Sequence, residues 1–201
     1  MRKNNKQKAN TRRPMQIPLG NGSPALIPVD DMPTAAGLEL LRDHYVVCSD
    51  PVLLGGMPYP NLVTPPWRAL SRIGFRWVVC LADEEPCYDP HPLELAFCCA
   101  LEDLAGEREP SQPSREIGLI RDAVNAVIWR LTPRHGVILH CMGGRGRTGT
   151  VLGCVLRDLG VPAAEVIAYL DNLHKARGRE GWPESPWQQQ VVEGWERTSK
   201  T

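Results

Sequence analysis

Apolar residues occur along this chain in two patterns, which predict strands and helices in alternation. Short, compact apolar runs without helical spacing favour buried strands. These runs are Tyr45–Cys48, Val52–Leu54, Phe75–Leu81, Phe97–Leu101 and Gly136–His140. The second run is expected to end at Gly55 and Gly56, because glycine commonly bounds a strand.

Helical segments are predicted between and after these runs. A short helix is expected to follow Pro66 and to end near Ile73. Apolar residues at spacings of three and four predict a long helix from Arg115 to about Leu131, capped by Ser114. Further helices are predicted from near Arg147, from Pro162 to about Lys175, and from Pro186 to Arg197. Strands that alternate with helices indicate an α/β fold whose sheet is covered on both faces.

The N-terminal segment differs in composition from the rest of the chain. Its first 13 residues include six Lys or Arg and no Asp or Glu. Residues 1–35 are rich in Asn, Lys, Gly and Pro, which predicts a flexible, basic, Pro/Gly-rich tail. Residues 36–201 are predicted to form one domain, because a chain of 201 residues suffices for one sizeable core.

Charge and hydropathy bear on whether the protein binds nucleic acid, is secreted or inserts into a membrane. Residues 14–201 carry 17 Lys or Arg against 23 Asp or Glu, a mildly acidic balance that gives no case for nucleic-acid or membrane binding. The basic N-terminal stretch lacks the apolar segment of a secretory signal. No run approaches the roughly 18 apolar residues that span a bilayer. We therefore expect a cytoplasmic protein that does not insert into membranes.

The chain has seven cysteines, an odd number without the paired spacing of a metal site. In a reducing compartment we expect six of them to be small buried residues and at most one to be reactive. No metal site is expected. The question is then which cysteine has a distinctive environment.

The segment after the last apolar run has the sequence HCMGGRGRTGT, from His140 to Thr150. Its three glycines before Arg147 allow the backbone to curl, so that successive N–H groups surround an anion. The predicted phosphate-binding residues are Met142, Gly143, Gly144, Arg145, Gly146 and Arg147. The positive end of the following helix adds to this field, which favours a bound phosphate and the thiolate of Cys141. Cys141 is therefore the predicted nucleophile.

Three further side chains of this segment have predicted roles. The planar guanidinium of Arg147 can bind two phosphate oxygens at once. The hydroxyl of Thr148 can donate a hydrogen bond to the Cys141 sulfur and ease its later departure. His140 can fix the loop by bonding its backbone.

This segment resembles the His-Cys-x5-Arg-(Ser/Thr) signature of the cysteine-dependent protein tyrosine and dual-specificity phosphatases, and the match from His140 to Thr148 is complete. The paired glycines are similar to those of small dual-specificity enzymes and their bacterial relatives, including kinase-associated-phosphatase-like members. The resemblance extends from about Tyr45 to Trp195. It implies one domain with a central, mostly parallel sheet of about five strands flanked by helices, and neither a metal nor an organic cofactor.

The resemblance also implies an aspartic acid on a mobile loop, some 30 to 40 residues before the cysteine. Such a group protonates the leaving oxygen and later activates the attacking water. Asp103 follows the run Phe97–Leu101 and precedes Gly106, in a segment suited to a movable loop. Glu102 and Asp83 remain alternatives.

Near the C-terminus, Ser185-Pro186-Trp187-Gln188 is similar to a Thr-Pro-x-Gln segment of the family, in which the Gln positions the hydrolytic water. Gln188 is the matching residue. Because Gln189 and Gln190 follow it, a polar helix face is an equally good interpretation.

The expected activity is hydrolysis of phosphotyrosine, phosphoserine or phosphothreonine in proteins through a phosphocysteine intermediate. The first alternative is a non-protein substrate: a phosphoinositide, a nucleotide or an RNA 5′ end. Arg145 would favour an extra negative charge, whereas lipid-specific relatives carry a basic residue where this chain has Met142. The second alternative is a phosphoprotein-binding module without catalysis, which would be expected to lack the cysteine or the arginine.

Overall fold

Strands and helices alternate along the part of the chain that the computed structural model describes, residues 24–31, 34–35, 37–39 and 41–197. Its strands are β1 (Thr34–Ala35), β2 (Leu38–Glu39), β3 (Tyr45–Cys48), β4 (Leu54–Met57), β5 (Phe75–Cys80), β6 (Glu94–Cys98) and β7 (Gly136–His140). Its helices are α1 (Trp67–Ile73), α2 (Pro113–Arg130), α3 (Gly146–Asp158), α4 (Ala163–Ala176) and α5 (Pro186–Glu193).

Five strands form one sheet in the order β3-β4-β7-β5-β6. The pair β3 and β4 is antiparallel, and every other neighbouring pair is parallel. β7 is the central strand, and all five of its residues are buried. The expected α/β domain with a mostly parallel five-stranded sheet is therefore confirmed.

The sheet is covered on both faces, as the burial along β7 illustrates. Val137 and Leu139 pack into the larger core with α2, α3, α4 and α5. Ile138 points the other way and packs with Trp67 and Leu70 of α1. This alternation is the period of two that a strand imposes on its side chains.

The prediction that Gly55 and Gly56 end the second strand is wrong, because both lie inside β4. β4 pairs with β3 on one side and β7 on the other, and Gly56 lies opposite Tyr45. A Cβ atom on Gly56 would lie 2.4 Å from the Tyr45 ring. The glycine therefore makes room for a buried aromatic ring within the sheet.

The fourth strand is also displaced from its predicted position, since β6 begins and ends three residues earlier than Phe97–Leu101. β6 is an edge strand, and its outward residues are half-buried or exposed. The buried residues Cys99 and Leu101 lie just beyond it and continue to bond the backbone of β5 and Leu81. The apolar pattern thus identified the buried residues Cys99 and Leu101, but it did not show where β6 begins to pair with β5.

The predicted helices are present; α1 has the predicted ends, whereas the other helices have shifted ends. α2 begins at Pro113 rather than behind a Ser114 cap, as expected for a proline that favours the first helical position. α5 stops at Glu193, before Gly194, instead of reaching Arg197. Gly74 ends α1 with a left-handed φ of 115°. None of the described helices is long and apolar enough to span a membrane.

The predicted tail falls largely outside the described residues, which begin at Pro24. Its inner part contacts the domain, because Ile27 N donates to Val47 O at 3.0 Å and Leu26 packs against the larger core. A division of the chain at residue 35 stays a prediction.

The carboxyl ends of β4, β5, β6 and β7 meet at one edge of the sheet, because these strands are parallel. In open α/β sheets, ligand sites form at this edge. β7 ends at His140 and brings Cys141 to it.

Candidate active site

The Cys141 loop, residues 141–147, joins β7 to α3. Leu81 N donates to His140 O at 2.8 Å, so the sheet pairing extends to the residue before Cys141. Cys141 is 2% exposed. Because α3 begins at Gly146, the positive end of its dipole lies at the loop.

Carbonyl groups of the Cys141 loop accept hydrogen bonds from residues outside it. The bonds run from Tyr59 N to Met142 O (3.0 Å), from Tyr45 Oη to Gly144 O (2.9 Å) and from Thr150 Oγ1 to Gly146 O (2.9 Å). The C=O and N–H groups of one trans peptide unit point in opposite directions. These bonds therefore turn the N–H groups of residues 143, 145 and 147 toward the space that the loop encloses.

Close approaches in the loop require residues without a side chain. Gly144 has a φ of 63°, and a Cβ atom there would lie 2.4 Å from the backbone of Met57. A Cβ atom on Gly146 would collide with the carboxylate of Glu184 and approach the Gln188 amide. The glycines predicted from the sequence thus let β4 and the segment before α5 close around the loop.

Arg147 connects the Cys141 loop to the acid loop, residues 101–111, which follows β6. Its Nη2 donates to Asp103 Oδ2 at 3.0 Å and its Nη1 donates to Leu101 O at 3.3 Å. The Asp103 side chain is 52% exposed, whereas that of Arg147 is 11% exposed. The structure therefore brings Asp103 to Arg147, with its carboxylate facing solvent.

Glu102, the neighbouring alternative, is held away from the loop. Its carboxylate accepts hydrogen bonds from Ser111 N and Ser111 Oγ, and these bonds lower the pKa of Glu102. Glu102 N donates to Glu116 Oε1 at 2.9 Å. Burial raises the pKa of Glu116, which is 4% exposed in α2. The hydrogen bonds of Glu102 and Glu116 therefore hold the backbone of the acid loop at Glu102 and Ser111.

His140 is buried and contacts the backbone of the Cys141 loop. Its Nδ1 lies 3.4 Å from Cys141 O, and its Nε2 bonds the Tyr88 hydroxyl. Burial lowers the pKa of His140 to about 4, although the bond to Cys141 and the charge of Asp83 oppose this shift. Asp83 therefore lies on the His140 side of the site, whereas Asp103 contacts Arg147.

Thr148 and Gln188 are both buried next to the loop. Thr148 Oγ1 has no hydrogen-bond partner among the described residues, so its bond to the Cys141 sulfur stays a prediction. Gln188 Oε1 accepts from Glu184 N at 2.8 Å, and its amide nitrogen lies beside Gly146. Gln188 is 1% exposed, which distinguishes it from the exposed Gln190.

Arg145 turns toward acidic residues of the segment before α5. Its Nε donates to Glu184 Oε1 at 2.6 Å and its Nη1 to Glu180 Oε2 at 3.2 Å. These residues line a cleft of about 530 Å³ together with Gly143, Gly178 and Arg179. The guanidinium that was expected to attract extra negative charge thus already has two carboxylate partners.

Sequence reasoning missed the residues that support the loop from distant elements. Tyr45 was assigned to a strand only, and Arg177, which also bonds Gly144 O, carried no recognisable spacing. An apolar run that contains a tyrosine, followed by a pair of glycines, is only a weak signal that the tyrosine ring packs on the glycines and reaches the loop. For Arg177 the sequence contains no signal that we identify.

The cysteines are free throughout the described residues. Cys87 is exposed and Cys98 is half-buried, so the expectation of six buried cysteines is wrong for these two. Within the described ranges, no cluster of three His, Cys, Asp or Glu residues is suited to a metal ion.

A protein-family model matches this chain over the segment that contains the candidate active site. The model described as "Swiss Army Knife protein, DSP-PTPase phosphatase domain" matches residues 50–180, well over half of the chain. The matched segment includes the Cys141 loop and the acid loop. A search of curated proteins gave no match.

Solved structures with the same fold are phosphatases. Tk-PTP in its active form is 22% identical, with a TM-score of 0.50 over 70% of this chain and 88% of that one. Kinase associated phosphatase is 14% identical, with a TM-score of 0.50 over 70% and 83%. A Leishmania major protein described as a protein tyrosine phosphatase is 18% identical, with a TM-score of 0.52 over 73% and 90%.

At these identities, the solved structures are evidence for the fold alone. The family model carries the assignment, because its match includes four of the five strands of the sheet, β4 to β7, and the Cys141 loop. The chain therefore belongs to the DSP-PTPase phosphatase domain family of Swiss Army Knife proteins.

Proposed function

We propose that this phosphatase domain hydrolyses phosphate monoesters through a phosphocysteine on Cys141 and that its substrates are phosphorylated proteins. The contact between Arg147 and Asp103 is the observation that carries this assignment, because it joins a carboxyl group of the acid loop to the guanidinium at the end of the Cys141 loop. A bound phosphate competes with Asp103 for Arg147 Nη2 and leaves the carboxyl group next to the ester oxygen.

In the first step, the Cys141 thiolate attacks phosphorus. The S–P bond forms, the P–O ester bond breaks, and the leaving oxygen takes the proton of Asp103. The inward N–H groups of the Cys141 loop and the Arg147 guanidinium stabilise charge on the transferred phosphoryl oxygens.

In the second step, water attacks the phosphocysteine. Asp103, now a carboxylate, accepts a proton from that water, the S–P bond breaks, and inorganic phosphate and the thiolate are released. Gln188 orients the water from its buried position beside Gly146. The Thr148 hydroxyl, which has no other partner among the described residues, donates a hydrogen bond to the departing thiolate and keeps its proton.

The charge around the site supports a substrate with a single phosphoryl group. Carboxylates near this edge include Asp83, Glu84 and Glu85 after β5, Asp103 after β6, and Glu180 and Glu184 in the cleft beside Gly143. Arg145 already binds two of them, so it could bind a second anionic group only by releasing a carboxylate. Tyr59 and the exposed Met142 offer apolar surface beside the loop, which suits the ring of a phosphotyrosine.

A substrate panel tests the chemistry and the substrate class together. The purified protein is expected to hydrolyse p-nitrophenyl phosphate in the presence of a chelator, to be inhibited by vanadate and to lose turnover in Cys141→Ser. Phosphotyrosine and phosphoserine peptides are expected to have a higher kcat/KM than an inositol polyphosphate or a 5′-phosphorylated RNA. A strict metal requirement would contradict the mechanism, whereas the highest kcat/KM on a polyanion would contradict the substrate class alone.

A further inference from the structure

Two adjacent apolar side chains, Leu62 and Val63, are exposed in the segment that joins β4 to α1, and we call this pair the apolar tip. Val63 is 89% exposed and Leu62 is 56% exposed. Pro60 before the pair and Trp67 after it are buried, so the segment is anchored at both ends and projects between them. A single exposed apolar residue is ordinary, but an adjacent pair on a projection indicates contact with another molecule.

Hydrogen bonds and prolines hold the apolar tip in one conformation. Asn61 Oδ1 accepts from Val63 N at 2.8 Å and from Thr64 N at 3.1 Å, so the side chain forms a local turn. The segment also contains four prolines, whose rings fix φ: Pro58, Pro60, Pro65 and Pro66. Because the tip is already ordered, it loses little conformational entropy when it binds a partner.

The apolar tip lies at the edge of the sheet that carries Cys141. β4 is parallel to β7, so the segment after β4 and the Cys141 loop leave the sheet at the same edge. Tyr59 N donates to Met142 O at 3.0 Å, next to Cys141. Val63 follows Tyr59 by four residues, so their Cα atoms are at most about 14 Å apart. An extended peptide advances about 3.4 Å per residue, so a residue up to about four positions from the phosphorylated one can reach the tip.

The charge near the apolar tip distinguishes a protein partner from an anionic lipid surface. The loop after β5 contains Asp83, Glu84 and Glu85, and its Cys87 Sγ lies 3.6 Å from Tyr59 Oη. Residues 57–66 contain no Lys or Arg, and the next cation along the chain is Arg68 in α1. Attachment to an anionic membrane is favoured by basic residues around the inserted apolar ones, which this segment lacks. A neutral or basic polypeptide is therefore the occupant that fits.

We propose that the apolar tip binds an apolar side chain of the phosphorylated protein, within about four residues of the phosphorylated residue. The contact removes apolar surface of both partners from water. It lies away from the reacting atoms and forms equally in the ground state and the transition state, so it lowers KM and leaves kcat unchanged. This inference rests on the proposed function, because it requires a phosphoprotein substrate at Cys141.

A set of phosphotyrosine peptides tests this contact. Each peptide has one leucine at one of the four positions before or after the phosphotyrosine, in a sequence otherwise made of Gly and Ser. The unmodified protein is expected to have about five- to tenfold higher kcat/KM on the peptides whose leucine reaches the tip than on the peptide without leucine. The double variant Leu62→Ser/Val63→Ser is expected to lose this preference through a higher KM. Its kcat and KM on p-nitrophenyl phosphate, which has no flanking residue, are expected to stay unchanged.

Trp129→Ser is the matched control for the double variant. Trp129 is 66% exposed and lies near the end of α2, which leads to the start of β7 and therefore to the opposite edge of the sheet. This variant removes an exposed apolar side chain far from Cys141. It is expected to keep the leucine preference of the unmodified protein.

Three results would overturn this role of the apolar tip. The first is the absence of any leucine preference in the unmodified protein, or the same preference in the double variant. The second is an equal loss on p-nitrophenyl phosphate and on every peptide, because the segment would then shape the catalytic site. The third is co-sedimentation of the unmodified protein, but not of the double variant, with phosphatidylcholine/phosphatidylserine vesicles.

A failure of the proposed function gives different results from a failure of the apolar tip. In that case turnover persists in Cys141→Ser, or p-nitrophenyl phosphate is hydrolysed and no phosphopeptide is. If only the tip is assigned wrongly, phosphopeptides are hydrolysed through Cys141 without regard to the flanking leucine.

Discussion

At the scale of single residues, the contact with Arg147 makes Asp103, rather than Glu102 or Asp83, our candidate for the general acid. Asp103→Asn is expected to lower kcat on phenyl phosphate or a phosphopeptide by about 10²–10⁴-fold, the usual contribution of general acid catalysis. An aryl phosphate with a good leaving group is expected to lose far less, because its oxygen needs no proton. Steady-state kinetics over a series of leaving groups measures the difference.

Glu102→Gln and Asp83→Asn are the matched controls for this prediction. Glu102 bonds Ser111 and Asp83 lies on the His140 side, so neither variant is expected to change the dependence on leaving group. Asp103 would be the wrong residue if one of these controls showed that dependence and Asp103→Asn did not.

His140 predicts a pH dependence of stability. Its pKa is lowered to about 4 in the folded protein, against 6.5 in the unfolded chain, so the unfolded state binds more protons between these values. The contribution of His140 is present above about pH 6.5 and is lost as the pH falls through 4, by about 3 kcal/mol. Denaturant unfolding of the unmodified protein and of His140→Gln measures it, and the variant should lose less stability on acidification.

His135→Gln is the control for this measurement, because His135 is exposed on the turn before β7. It is expected to follow the unmodified protein at every pH. An acid slope in His140→Gln as steep as that of the unmodified protein would mean that His140 does not carry the effect.

The site residues that were predicted from the sequence lie close together in the chain, whereas those that were missed lie far in sequence from the loop that they contact. Cys141, Arg147 and the glycines between them are adjacent in the chain, so residue types and spacing sufficed. Tyr45 lies 99 residues from Gly144 and Arg177 lies 33 residues from it. Such contacts depend on how β3 and α4 pack, which a local pattern does not contain.

At the scale of elements, β4 runs through a glycine pair that was expected to end it. Gly56→Ala would place a methyl group 2.4 Å from the Tyr45 ring, so the ring or the strand must move. We expect a loss of about 1–3 kcal/mol in the free energy of unfolding, the usual cost of overpacking a core. Denaturant unfolding at neutral pH measures this loss.

Gly118→Ala is the matched control for the strand variant. Gly118 is exposed in α2, and a Cβ atom there would meet nothing within 4 Å. Alanine is expected to stabilise the protein by about 0.5–1 kcal/mol, because glycine is unfavourable inside a helix. Equal stability of the two variants would mean that the Tyr45 ring accommodates the methyl group.

The ends of elements were predicted less well than their existence, for physical reasons. β7 is buried on both faces and paired on both sides, and its bounds were predicted correctly. β6 has one neighbour, so its apolar residues do not mark where pairing begins. α2 begins at a proline that needs no side-chain cap.

At the scale of the whole molecule, parallel pairing brings loops from distant parts of the sequence to one edge. The Cys141 loop, the acid loop and the segment with Tyr59 meet there because β7, β6 and β4 run in the same direction. The alternation of strands and helices predicted this class of sheet. The apolar pattern contains five strand-like runs, and the resemblance to a family implied a sheet of about five strands. The pattern alone does not fix the order of the strands in the sheet.

Rapid-quench trapping of the phosphoenzyme tests the central claim, that Cys141 carries the phosphoryl group. The protein is mixed with a phosphopeptide, quenched with detergent at alkaline pH, where the S–P bond is stable, and digested, and the Cys141 peptide is examined by mass spectrometry. We predict a phosphoryl group on Cys141, more of it in Asp103→Asn with an activated substrate, and none in Cys141→Ser. Turnover without this adduct, or an adduct on another residue, would contradict the account.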